Sequence, residues 1–132
     1  MSTVKCVCII DDDKIYAYGV KKIIDKHNLS RDILIFENGE EALEALTKMH
    51  ERSEALPELI LLDIDMPLMN GWEFLSEFES LRKNSNSNIE IYVISSKIDQ
   101  NNGELYKVTW DEKVADFISK PVKPEDLQKI MA

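Results

Sequence analysis

The run Leu59-Ile60-Leu61-Leu62, closed by Asp63 and bounded by Pro57 and Pro67, constrains the fold more than any other feature of the chain. It has no polar residue, so it lacks the alternation of a strand with one wet face. A run this short and this apolar reads as a parallel strand buried on both faces. A charge is costly inside such a strand but tolerable at its carboxyl end, where open α/β sheets keep their ligand crevice. A second run, Val4–Ile10, ends the same way in Asp11-Asp12-Asp13. Two buried strands that both terminate in carboxylates suggest one acidic, cation-binding pocket.

Strand-like and helix-like patterns alternate along the rest of the chain. After the first strand, Lys14–His27 reads as a helix, with Tyr16, Val20, Ile23, Ile24 and His27 on one stripe. Ile33–Phe36 is a short strand. Asn38 is placed to cap a helix over Gly39–His50, with Glu41 three residues on in a capping-box spacing. Beyond Leu59–Asp63, a turn over Pro67–Asn70 leads to a helix from Gly71 to Lys83 that buries Phe74, Leu75, Phe78 and Leu81. Glycine at Asn70-Gly71 is expected to serve a positive φ. Ile89–Ile94 and Val114–Ile118 are the fourth and fifth strands. A weaker helix, Asp99–Thr109, is expected between them, and a helix of barely two turns, Pro124–Met131, closes the chain. Such alternation implies parallel pairing and right-handed crossovers. The expected fold is a doubly wound, flavodoxin-like α/β sandwich: five parallel strands in the order 2-1-3-4-5, flanked by five helices.

At 132 residues the chain fits one domain, expected to span 1–132. A net charge of −9 argues against nucleic acid as a partner, because phosphate backbones need a basic face. No apolar run approaches the ~20 residues of a membrane span, and no signal region opens the chain, so a cytoplasmic protein is expected. Cys6 and Cys8 share a strand face at roughly 6.5–7 Å between Cα atoms, beyond comfortable disulfide reach, and read as packed thiols. His27 and His50 lie at helix ends, remote from the acidic pocket. Trp72, with Phe74 and Phe78, reads as core, and Trp110 as a packing or partner-facing residue beside the fourth helix.

In a doubly wound sheet the ends of strands one, three, four and five converge, and here they carry Asp11/Asp12, Asp63, Ser95/Ser96 and Lys120. Crowded carboxylates repel, and a hard divalent cation relieves them; Mg2+ suits oxygen ligands and keeps several waters. A carboxylate beside such a cation can attack a phosphoryl group and form an aspartyl phosphate. Lys120 supplies a positive charge and Ser95 a hydroxyl donor. Asp13 reads as a helix cap rather than a metal ligand.

Four pieces, Cys8-Ile9-Ile10-Asp11-Asp12-Asp13, Leu61 through Gly71, Ile94-Ser95-Ser96 and Ser119-Lys120-Pro121, give the chain a likeness to a known family. In this order, each at a strand end, they resemble the receiver domains of two-component response regulators across essentially the whole chain. The resemblance implies that Asp63 is the phosphoacceptor, taking its phosphoryl group from a sensor histidine kinase or a histidine phosphotransfer protein. It implies a Mg2+ site of Asp11, Asp12, Asp63 and the main-chain carbonyl of Asp65. Lys120 would pair with the phosphoryl oxygens, Ser95 and Phe117 would form the switch, and Lys120-Pro121 would be cis.

Asp65 and Lys97 depart from the family's usual pattern and suggest a pair that tunes phosphate lifetime. The short last helix departs from it as well. No output domain follows in this sequence, so the expectation is a stand-alone switch that changes protein–protein contacts or passes phosphate on in a relay. It would not be an enzyme, beyond catalysing its own phosphorylation and dephosphorylation.

The competing reading is a haloacid-dehalogenase-type phosphatase built on Asp63-Ile64-Asp65. Order argues against it, since that family places its nucleophile first and its acidic pair last. A flavodoxin-like electron carrier would need a phosphate-cradling loop after the first strand, and none follows.

Overall fold

Val4–Ile10 forms β1, an interior strand of a parallel sheet, because its second half, Val7–Ile10, is apolar and buried on both faces. The computed structural model describes residues 4–64, 66, 68–85, 88–95 and 114–131, with Ser95 described in its backbone alone. Among these the order of elements is β1, α1 (Lys14–Lys26), β2 (Ser30–Phe36), α2 (Gly39–Glu51), β3 (Leu59–Asp63), α3 (Gly71–Asn84), β4 (Glu90–Ser95), β5 (Asp116–Ser119) and α4 (Pro124–Met131). The five strands lie in the expected order β2-β1-β3-β4-β5, all pairs parallel. Four helices are seen among the described residues rather than five; the helix expected over Asp99–Thr109 lies outside them, as does Trp110.

The period of two along each strand divides the interior into two cores. Cys8, Ile10, Ile60, Leu62, Ile91 and Val93 point to the side covered by α2 and α3, where Ala42, Leu46, Phe74 and Phe78 meet them. Val7, Ile9, Leu59, Leu61 and Ile94 point to the other side, against Ala17, Val20 and Ile24 of α1 and Leu127 of α4. The helices are started as their sequences require. The Asp13 side chain accepts the Tyr16 N–H, and Asn38 accepts the Glu41 N–H. A complete capping box occurs at Asn70 and Glu73, where the spacing had not been read as one.

Two expectations need correction. β2 begins at Ser30, three residues earlier than expected, because an edge strand pairs through its backbone and tolerates exposed Arg31 and Asp32. Gly71 is not a positive-φ residue; no described glycine is. A Cβ there would come within 2.8 Å of the Asp63 carbonyl oxygen and of Ile64 Cα, so its smallness seats the start of α3 on the end of β3. The left-handed residue in this loop is Leu68, at φ 68°.

Candidate functional site

The sheet register builds the site. Ile10 pairs with Leu62, Asp63 with Ile94, and Ser95 with Ser119, so Asp11, Asp63 and Lys120 all emerge within one residue of the same transverse row. Strand ends carry no further ladder bonds for these side chains to obstruct. Two of the three carboxylates nevertheless remain inside: Asp11 is 3% exposed and Asp63 4%, whereas Asp12 is exposed.

Buried carboxylates need partners, and those of Asp11 are on both sides. Its Oδ1 accepts the Asp13 N–H at 2.9 Å, and its Oδ2 lies 3.0 Å from the Lys120 ammonium. The same ammonium stands 3.7 Å from Asp63 Oδ2. Burial disfavours the charge on Lys120, but Asp11 and then Asp63 outweigh it, and the ammonium's pKa is raised above its ordinary value.

Asp11, Asp12 and Asp63 each place one carboxylate oxygen within 4.8 Å of the others. Among the described residues three carboxylates therefore face one ammonium, an excess of negative charge that a divalent cation would neutralise. All the donors are hard oxygens, a set that fits Mg2+.

The structure thus brings together Asp11, Asp12, Asp63 and Lys120. Ser95 ends β4 level with Ser119, its side chain outside the described atoms; Asp65, Ser96 and Lys97 also lie outside the described residues. Phe117 is half-buried on β5, its ring 6.1 Å from that of Trp72 and tilted by 44°. Lys120-Pro121 is cis.

Sequence reasoning missed one residue here. Tyr16, read as part of a core stripe, lies with its ring centroid 4.4 Å from the Lys120 Nζ, and its hydroxyl accepts the Val122 N–H at 3.2 Å. Spacing on α1 could place it toward the sheet; nothing local could say that residues over a hundred positions away would meet it. His27, by contrast, is remote as expected, capping α1 and contacting Gln128 of α4 at 3.1 Å.

No helix among the described residues is long and apolar enough to cross a membrane. The response regulator receiver domain family matches residues 7–132 of the chain. The nitrate/nitrite response regulator protein NarL of Escherichia coli is 32% identical over 129 residues, which cover 95% of this chain and 52% of that protein. The chain spans about half the length of the curated relatives of this kind that it matches. A two-component response regulator from Cytophaga hutchinsonii superposes with a TM-score of 0.84 at 25% identity, covering 97% of this chain and 94% of that one. A similar fold, at 19% identity and a TM-score of 0.79, occurs in the Saccharomyces cerevisiae Ssk1 receiver domain crystallised with the histidine phosphotransfer protein Ypd1; the match covers 99% of this chain and 88% of that one. Strand order, the acidic edge and the match over nearly the whole length lead to one assignment: the chain belongs to the response regulator receiver domain family.

Proposed function

We propose that residues 1–132 act as a single receiver domain that takes a phosphoryl group from a phosphohistidine onto Asp63. The observation that carries this reading is Lys120, whose ammonium bridges Asp11 and Asp63 beside three clustered carboxylates. A carboxylate oxygen of Asp63 attacks phosphorus, the P–N bond to the donor imidazole breaks, and its electron pair stays with the ring. Charge accumulates on the phosphoryl oxygens during transfer, and a positioned ammonium stabilises it without reorganisation. Asp11, Asp12, Asp63 and the main-chain carbonyl of Asp65 would hold Mg2+, which when bound offsets the phosphoryl charge.

Ser95 would bond the phosphoryl group, and Phe117, packed on Trp72, would repack as Ser95 moves. Such a pair biases an equilibrium between two packings. Asp65 and Lys97 would set how long the phosphate survives; an unchanged hydrolysis rate in both Asp65→Asn and Lys97→Ala would remove them from the account. The donor would be a sensor histidine kinase or a histidine phosphotransfer protein, as Ypd1 is for Ssk1. The output would be altered protein–protein contact or onward transfer of phosphate.

Incubation with acetyl phosphate and Mg2+, followed by intact-mass measurement, tests the reading. A receiver stops at one phosphoryl group per chain, and Asp63→Asn takes up none. Donor consumption with no phosphorylated chain building up would instead identify a phosphatase, and full labelling of Asp63→Asn would end the assignment of the acceptor.

A further inference from the structure

Lysine has a long, freely rotating stem, so a lysine that must serve a fixed point needs a wall as well as a counter-charge. The carboxylates of Asp11 and Asp63 draw the Lys120 ammonium from one side. The wall is Tyr16. Its half-buried ring packs against the core between the sheet and α1, with the Lys120 Nζ 4.4 Å from its centroid. Its hydroxyl accepts the N–H of Val122, a buried residue two positions past the lysine. A leucine would fill the same apolar space at this position on α1. What tyrosine adds is a π face and an oxygen, and both are engaged, with residues 120 and 122.

We propose that Tyr16 is a positioning residue: its ring holds the Lys120 ammonium over the gap between Asp11 and Asp63, and its hydroxyl ties the segment bearing that lysine to α1. This rests on the reading of Lys120 as the cation that meets the phosphoryl group. Attraction to a ring face is felt out to about 6 Å from the centroid, and the ammonium stands at 4.4 Å. The ammonium can therefore slide from Asp11, at 3.0 Å, toward a phosphoryl oxygen on Asp63 without leaving its support. Burial raises the Tyr16 phenol above its usual pKa, so the ring stays neutral and keeps its attraction for a cation.

The test uses two variants and one spectroscopic probe. In protein carrying 13C-labelled lysine, the ε-methylene of Lys120, assigned by Lys120→Arg, is expected upfield because it lies near an aromatic face. Tyr16→Phe should keep that shift and move only the Val122 amide, whereas Tyr16→Leu should lose both. The maximal rate of labelling by acetyl phosphate should fall about 5-fold in Tyr16→Leu and less than about 2-fold in Tyr16→Phe. The Mg2+ concentration giving half the maximal rate should not move, because the ring of Tyr16 faces Lys120 and its hydroxyl is engaged by Val122.

An unshifted Lys120 signal in Tyr16→Leu overturns the proposal, as does equal damage in both variants. So does a Mg2+ requirement that moves in step with the rate, which would show general loosening of the pocket. If Tyr16→Leu does not fold, Tyr16→Met carries the same comparison. Should wild-type protein take up no phosphoryl group at all, the reading of Asp63 fails, and the lysine signal alone decides the role of Tyr16.

Discussion

The two edges of the sheet carry similar residue types and opposite electrostatics. At the amino edge, Lys5, Arg31, Asp32 and Glu58 line a cavity of about 650 Å3 together with Cys6, Met49 and Leu56. Two cations meet two anions there, and both anions are exposed to water. At the carboxyl edge, among the described residues, the three carboxylates of Asp11, Asp12 and Asp63 meet Lys120, and two of the three are buried. What marks the carboxyl edge as the candidate site is the excess of carboxylate that the fold gathers there among the described residues, at the cost of some stability.

Removing the charge of Lys120 should break that contrast most severely. Lys120→Met is expected to slow labelling by a small phosphodonor about 100-fold or more, the scale of losing a preorganised charge at a transition state. Lys5→Met, at the balanced edge, should leave the rate within about 2-fold, since the bond to Glu58 comes from the Lys5 backbone N–H, which methionine keeps, and exposed charges contribute little. Equal effects at the two edges would mean that Lys120 has no special task.

The excess charge itself can be titrated with metal. At about ten times its dissociation constant, Mg2+ should stabilise the fold by about 1.4 kcal/mol, which raises Tm by roughly 4–6 °C in a domain this size. Asp12→Ala should erase most of that shift and reverse sign in metal-free buffer, where losing one repelling carboxylate should stabilise the protein by about 0.5 kcal/mol. Glu58→Ala should keep the full shift. Thermal unfolding with and without Mg2+ reads all three, and a full shift in Asp12→Ala would contradict the metal assignment.

Much of this was legible in the sequence, for a physical reason. A strand buried on both faces announces itself by unbroken apolarity, and the first charge after it marks the edge; Asp11 and Asp63 were found that way. What stayed hidden was information carried by the backbone or by distant residues. The early start of β2 depends on main-chain pairing, which Arg31 and Asp32 do not reveal. Gly71 was misread because a glycine kept for smallness and one kept for positive φ look alike in sequence. The capping box at Asn70 was visible as an Asn followed three residues later by Glu73, but that turn drew interest only for its glycine. Tyr16 sits at ordinary core spacing, and its meeting with Lys120 exists only once β5 has joined the sheet.

The smallest expected effect sharpens the comparison from the amino edge. Burial, and then the charges of Asp32 and Glu58, push the Cys6 thiol up to about 11. A thiol must lose a proton to react, so a raised pKa depletes the nucleophile: at pH 8 only about one molecule in a thousand carries the thiolate. Alkylation by iodoacetamide should be correspondingly slow and should quicken about tenfold for each pH unit up to about 11. Asp32→Asn combined with Glu58→Gln removes the two repelling charges but not the burial, so it should speed the reaction only a few-fold. A rate at pH 8 matching that of a free thiol would show that this edge does not resist negative charge. The cavity would then have to be reconsidered as a place where an anion could sit.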